Sequence, residues 1–231
     1  MSKIEVIFPE SSKLFIDLQA NNDFNIYTDP PYISVVEERL LQLKPKTCLE
    51  IGAGIGRMSV YFYKNFYDQA LFYLQDGDCG STQYGGIRDK SEGEYYNSFE
   101  ATQDFCTANG LTNFKLVQNL TDIDQPIDFC YSFASIGFHW HCNLSKYKLP
   151  PLLADGATVM FELRAPLQAE DEVSDEKRHE YQQFYDSQIM AARNNLAYED
   201  VEVIDLSSYR GYFYKAPTHF LLMRKRISTT K

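Results

Sequence analysis

The run Thr47-Cys48-Leu49-Glu50-Ile51-Gly52-Ala53-Gly54-Ile55-Gly56-Arg57 constrains this chain more than any other stretch, because it joins a short apolar strand to a helix through three alternating glycines. Thr47 to Ile51 has the length and apolar character of a buried strand. Beyond the turn, Met58, Tyr61, Phe62 and Phe66 recur at the three-to-four spacing that places side chains on one face of a helix. Glycine at 52, 54 and 56 allows a sharp turn and leaves bare backbone for a ligand to approach. A strand that feeds a helix in this way points to an α/β fold with a largely parallel sheet.

The same alternation continues on both sides. Pro31 opens a helical pattern of Ile33, Val36, Leu40 and Leu43, which Lys44-Pro45 closes. Further strands are expected over Ala70 to Leu74, Phe114 to Gln118, Ile127 to Ser132, Ala157 to Leu163, Val201 to Asp205 and Thr218 to Arg224. Asn97 with Glu100 makes a capping box for a helix that runs to Gly110, and Asp155-Gly156 reads as the turn before the fifth strand. Ser174 caps a helix with Tyr181, Phe184, Tyr185, Ile189, Ala192 and Leu196 on one face. The expectation is one domain over residues 1–231: a seven-stranded, mostly parallel sheet with helices on both faces. Residues 1–45 form a helical cap, and the ligand lies outside the carboxyl ends of the strands. Between residues 75 and 96 the pattern dissolves into a loop long enough to imply a binding or lid role.

Charge narrows the partners. The 32 acidic and 22 basic residues leave a formal charge of -10, which repels phosphate backbones and anionic membrane surfaces. The one basic cluster, Arg224, Lys225 and Arg226, ends the last strand and reads as a solvated tail. Neither nucleic acid nor a membrane is therefore an expected partner, and no stretch approaches the ~18 apolar residues of a membrane span. Five cysteines without regular spacing, and no apolar leader at the N-terminus, fit the cytoplasm.

The glycine turn also selects its ligand. A dinucleotide fingerprint G-x-G-x-x-G would place glycine at 57, where Arg57 stands, and Glu50 would repel a pyrophosphate. These two residues oppose an oxidoreductase. A ligand with a sulfonium and an ammonium group would be drawn to Glu50, while the N-terminus of the following helix receives its carboxylate. S-adenosyl-L-methionine carries that set of charges. Glu50, Gly52, Gly54 and Gly56 match the motif E/D-x-G-x-G-x-G, and the chain resembles the class I S-adenosylmethionine-dependent methyltransferases over roughly residues 31 to 224, most closely over 47 to 57.

That resemblance implies a Rossmann-like sandwich with S-adenosyl-L-methionine as cofactor, held by Glu50, Gly52, Ala53, Gly54 and Gly56. It gives the ribose hydroxyls to an acidic residue after the second strand, Asp76, with Asp78 a competitor. Asn119, with Gln118 beside it and Asp122 a little beyond, lies where the family approaches the adenine. Phe133 belongs to the segment after the fourth strand that passes under the methionine moiety.

Gly137-Phe138-His139-Trp140 falls where the family receives its methyl acceptor, and with the segment that follows it is similar to sugar O-methyltransferases. The acceptor is then a small molecule or a glycan, methylated at oxygen, with His139 as base, Trp140 as an apolar wall, and Glu162 and Arg164 as acceptor contacts. The rival reading is a protein that binds the cofactor as a sensor or scaffold without catalysis.

Three other features carry less. Asp29-Pro30-Pro31-Tyr32 matches a motif of DNA amino-methyltransferases but precedes the glycine turn, with room for only one helix between. His139-Trp140-His141-Cys142 has metal-ligating side chains, yet neighbours on an extended chain point to opposite faces and no second cluster completes a site, so no metal is expected. His179 and His219 have nothing in their surroundings to distinguish them. The oligomeric state is not encoded in any pattern of the sequence.

Overall fold

A computed structural model describes residues 6–11, 31–77, 98–133, 135–136, 142, 149–166, 173–206 and 218–228. Seven strands form one sheet in the order β3-β2-β1-β4-β5-β7-β6, of which β7 alone runs antiparallel to its neighbours. The chain divides into two compact units, residues 1–124 and 125–231.

In the first unit a three-ten turn, Pro31–Val35, leads into α1 (Glu37–Gln42), β1 (Thr47–Ile51), α2 (Arg57–Asn65), β2 (Leu71–Gln75), α3 (Phe99–Ala108) and β3 (Phe114–Val117). The helix expected from Pro31 to Leu43 is thus split. Ile33, Val35 and Val36 are β-branched residues that lose rotamer freedom in a helix, and Val36 offers α1 no side-chain cap. Every residue of β1 is buried, as a strand covered on both faces must be. Parallel pairing of β1 with β2 and of β2 with β3 brings Ile51, Gln75 and Val117 level at the carboxyl ends. Phe62, Phe72 and Phe105 fill the interior, and Ser98 caps α3 by accepting from the Ala101 amide. Asn97, the expected cap, lies outside the described residues.

The second unit contains β4 (Ile127–Ser132), β5 (Leu153–Arg164), α4 (Asp175–Asn194), β6 (Tyr198–Asp205) and β7 (Thr218–Lys225). Asp155-Gly156 does not separate two elements. Gly156, at φ +79°, sits inside β5, where the pairing jumps from Ile127 with Leu153 to Phe129 with Thr158 and the strand absorbs the extra residues as an irregularity. Ser174 caps α4 by accepting from Lys177 N. Leu196 lies beyond the helix and is 86% exposed, whereas Gln188 is buried and accepts the Cys142 amide at 3.2 Å. A buried glutamine satisfies its polar atoms on a neighbouring backbone, which hydrophobic periodicity does not register.

Gly56 shows how tightly the turn is built. Its φ is +82°, and a Cβ there would stand 2.6 Å from Leu74 Cδ2 and 2.8 Å from Cys106 Sγ. Gly56→Ala therefore meets the left-handed penalty together with an overpacked contact, and should lose about 2 to 5 kcal/mol of stability in urea denaturation.

Candidate functional site

The glycine turn is held from the neighbouring strand. The carbonyl of Gln75, the last residue of β2, accepts the amides of Gly52 at 2.8 Å and Ala53 at 3.0 Å. Asp76 follows: its Oδ2 accepts Gly54 N at 2.6 Å and its Oδ1 accepts Gly77 N at 2.7 Å. Thr102 of α3 donates its hydroxyl to the Gly54 carbonyl at 2.9 Å. Gly52, Gly54 and Gly56 adopt φ values of +70°, +54° and +82°, which L side chains rarely tolerate. The sequence motif thus corresponds to a real backbone requirement.

Glu50 and Asp76 give the turn its electrostatics. Glu50 is 3% exposed, and its Oε2 accepts both the hydroxyl of Ser59 at 2.5 Å and the Ser59 amide at 3.1 Å, in the first turn of α2. Burial pushes its carboxyl up to about 8, against the lowering effect of the two Ser59 bonds, and the charge of Asp76 adds a further push upward. Burial likewise raises Asp76 to about 6, with the amides of Gly54 and Gly77 opposing. The site therefore retains a proton on Glu50 at neutral pH unless a positive charge enters.

Asn119 stands at the end of β3, exposed. Its amide and its side chain both donate to Asp122 Oδ2, at 3.3 and 3.5 Å, around a short three-ten turn, so Asn119 and Asp122 act as one local cap. Ala53 is buried in the turn. Asp78 and most of the 75–96 loop lie outside the described residues.

In the second unit, Phe133 is buried after β4, edge-on to Tyr131 at 6.1 Å and to Phe220 at 5.8 Å between ring centroids. Glu162 is buried near the end of β5, opposite Phe220. Arg164, the last residue of β5, donates through Nη1 to the Tyr181 hydroxyl at 3.1 Å and lies 5.3 Å from the centre of that ring. His139 and Trp140 lie outside the described residues. One titratable chain escaped the sequence reading: Tyr185 Oη lies 2.6 Å from His219 Nδ1, and His219 Nε2 lies 3.1 Å from Asp205 Oδ1. The signal available was weak, an Asp closing the sixth strand and a His opening the seventh.

Four cysteines, Cys48, Cys106, Cys130 and Cys142, are buried, and burial pushes the Cys142 thiol up to about 12. No group of three metal-ligating side chains occurs among the described residues, and no helix among them is long and apolar enough to cross a membrane.

Solved structures share this architecture. A Podospora anserina methyltransferase with S-adenosylhomocysteine bound aligns at a TM-score of 0.58 and 14% identity, over 96% of this chain and 90% of that one. The Streptomyces achromogenes O-methyltransferase TomG, involved in tomaymycin synthesis and solved with S-adenosylmethionine, aligns at 0.54 and 15%, over 97% and 93%. A Bacillus cereus O-methyltransferase in complex with S-adenosylhomocysteine aligns at 0.55 and 9%, over 97% and 94%. No family model and no curated protein matches the chain. The fold is that of the class I S-adenosylmethionine-dependent methyltransferases.

The buried acid makes a stability prediction. With Glu50 raised to about 8 from 4.5, the folded state binds a proton that the unfolded state has released, so the contribution is full below pH ~4.5 and is lost as pH rises through 8. Thermal unfolding of the ligand-free protein should show stability falling across that window. Glu50→Gln, which cannot ionise, should flatten the fall.

Proposed function

We propose that this protein is an S-adenosylmethionine-dependent methyltransferase that methylates an oxygen of a small-molecule or glycan acceptor in the cytoplasm. The observation that carries the reading is the pair Glu50 and Asp76 on a turn of three left-handed glycines. A buried acid and a half-buried one, both raised by desolvation, are stabilised by an incoming cation, and a sulfonium with an ammonium group supplies it; a dinucleotide phosphate would meet repulsion. Asp76 uses one lone pair on each oxygen for the Gly54 and Gly77 amides, and a carboxylate has about four, so capacity remains for two ribose hydroxyls.

The remaining assignments follow the same reading. Glu50, Gly52, Ala53, Gly54, Gly56, Asp76, Asn119 and Phe133 serve the cofactor, and His139, Trp140, Glu162 and Arg164 serve the acceptor, with His139 as its base. The bound cofactor supplies an electrophilic methyl group. Positioning of the acceptor then supplies most of the acceleration, with a base needed where a hydroxyl attacks. Two of the solved relatives are described as O-methyltransferases, which supports oxygen as the methylated atom, and the charge of -10 supports an acceptor other than nucleic acid.

S-adenosylmethionine and S-adenosylhomocysteine should stabilise the protein by about 2.7 kcal/mol at a concentration one hundred times Kd, while NAD gives no shift. Asp76→Ala should weaken cofactor binding by about 2 to 3 kcal/mol in a calorimetric titration, through loss of charged hydrogen bonds. Incubation of cell extract with methyl-labelled cofactor, followed by fractionation, tests the reaction itself. Label in a small molecule or glycan is expected. Cofactor binding without transfer to any component would replace the enzyme by a sensor.

A further inference from the structure

We propose that Thr102 is a positioning residue of the cofactor site, whose hydroxyl fixes the orientation of the Gly54–Ile55 peptide and thereby sets the affinity for the cofactor; the proposal rests on the methyltransferase reading above. All the residues involved belong to the first unit. Thr102 lies on α3, is 1% exposed, and donates its hydroxyl to the Gly54 carbonyl at 2.9 Å. Cys106, one turn further along the same face of α3, donates its thiol to the next carbonyl, that of Ile55, at 3.9 Å. Burial and the charge of Glu50 both raise that thiol, so it stays protonated and serves as a weak donor. A Cβ at Gly56 would stand 2.8 Å from Cys106 Sγ and 3.6 Å from Thr102 Cγ2, so this face of α3 packs directly on the turn.

The hydrogen bonds decide which carbonyl Thr102 serves. A hydroxyl has one hydrogen, and Thr102 Oγ1 also lies 3.0 Å from the Ser98 carbonyl, one turn back on the chain. The Ser98 carbonyl already accepts the Thr102 amide at 3.0 Å, and the contact to Gly54 is the shorter, so the hydrogen is directed to Gly54. Helix stability does not account for the hydroxyl either. Threonine has a low helix propensity, and a bond from its side chain to the carbonyl four residues back destabilises a helix slightly. The turn, not α3, is what the hydroxyl serves.

The consequence lies in the backbone. The peptide between Gly54 and Ile55 is planar and trans, so a carbonyl held on α3 puts the Ile55 N–H on the opposite edge, away from that helix. The preceding peptide is held from elsewhere, because the Gly54 amide goes to Asp76 Oδ2 at 2.6 Å. Gly54, at φ +54°, is thereby fixed on both sides, by Asp76 at its amide and by Thr102 at its carbonyl. Glycine has no Cβ to restrict its ψ, so without the second bond the Gly54–Ile55 peptide samples a range of tilts that misdirect the Ile55 N–H. A ligand that uses the backbone of this turn would then have to order it on binding, at a cost in affinity. Thr102 removes that cost by ordering the turn beforehand.

The test is the affinity of the full chain for S-adenosylhomocysteine, read by calorimetric titration under conditions in which every variant is folded. Thr102→Val keeps the shape and removes the hydroxyl, and is expected to raise Kd about 5- to 30-fold; Thr102→Ser keeps the hydroxyl and should raise it by less than about 3-fold. Ser98→Ala removes the side-chain cap of α3 without removing a bond to the turn, so it should lower stability and leave Kd at the wild-type value. In the ligand-free protein, hydrogen exchange at the Gly54 amide should be faster in Thr102→Val than in the wild type, and unchanged in Ser98→Ala. A wild type that binds neither S-adenosylhomocysteine nor S-adenosylmethionine overturns the methyltransferase reading and the role of Thr102 with it. Where the wild type binds, an unchanged Kd in Thr102→Val, or an equal loss in Thr102→Ser or Ser98→Ala, overturns the role of Thr102 alone. Should Thr102→Val fail to fold, Thr102→Ala takes its place, and wild-type affinity in that variant overturns the proposal in the same way.

Discussion

The end of β2 holds the glycine turn, and most of the first unit's chemistry depends on that hold. Three successive amides, those of Gly52, Ala53 and Gly54, are taken by the carbonyl of Gln75 and the carboxylate of Asp76. A loop bonded in this way cannot relax into the right-handed conformations that ordinary residues prefer, so three of its positions carry positive φ and only glycine fits without strain. Asp76 also lies close enough to Glu50 that its charge helps to raise the Glu50 carboxyl. One short stretch, residues 75 to 77, therefore holds the backbone of the turn and adds to the charge that its burial already makes costly.

Much of this was legible in the sequence because it is local. Thr47 to Ile51 is the strand observed, since five buried residues followed by glycine leave little freedom in where it ends. The second strand shows the margin of such reading. It was expected to end at Leu74 and ends at Gln75, because glutamine is polar while its backbone still pairs with Val117. Asn119 shows a different limit. Its place after β3 was expected, but its local bonds to Asp122 follow from a three-ten turn that no periodicity announces.

Long-range pairing is where sequence reading failed. Asp205 and His219 are separated by thirteen residues in the chain and by one ladder position in the sheet, and Tyr185 joins them from a helix that precedes both. Nothing in the spacing of these residues encodes the meeting; only the antiparallel register of β6 with β7 does. Gly156 misled for the opposite reason. Its turn chemistry was read correctly, but parallel pairing with β4 resumes beyond it, so a local signal for a boundary became an irregularity inside a longer strand.

The two units handle buried acid and base groups differently, and the difference bears on what each can do. Glu50 is desolvated with a serine hydroxyl and an amide as partners and no cation on it among the bonds that hold it, so its ionised form is costly until a positive charge arrives. That is an arrangement suited to binding. His219 instead sits between a hydroxyl and a solvent-exposed carboxylate, so a proton gained on one side is stabilised on the other and has a route to water. The first arrangement answers to the charge of a ligand, the second to the proton supply of the solvent.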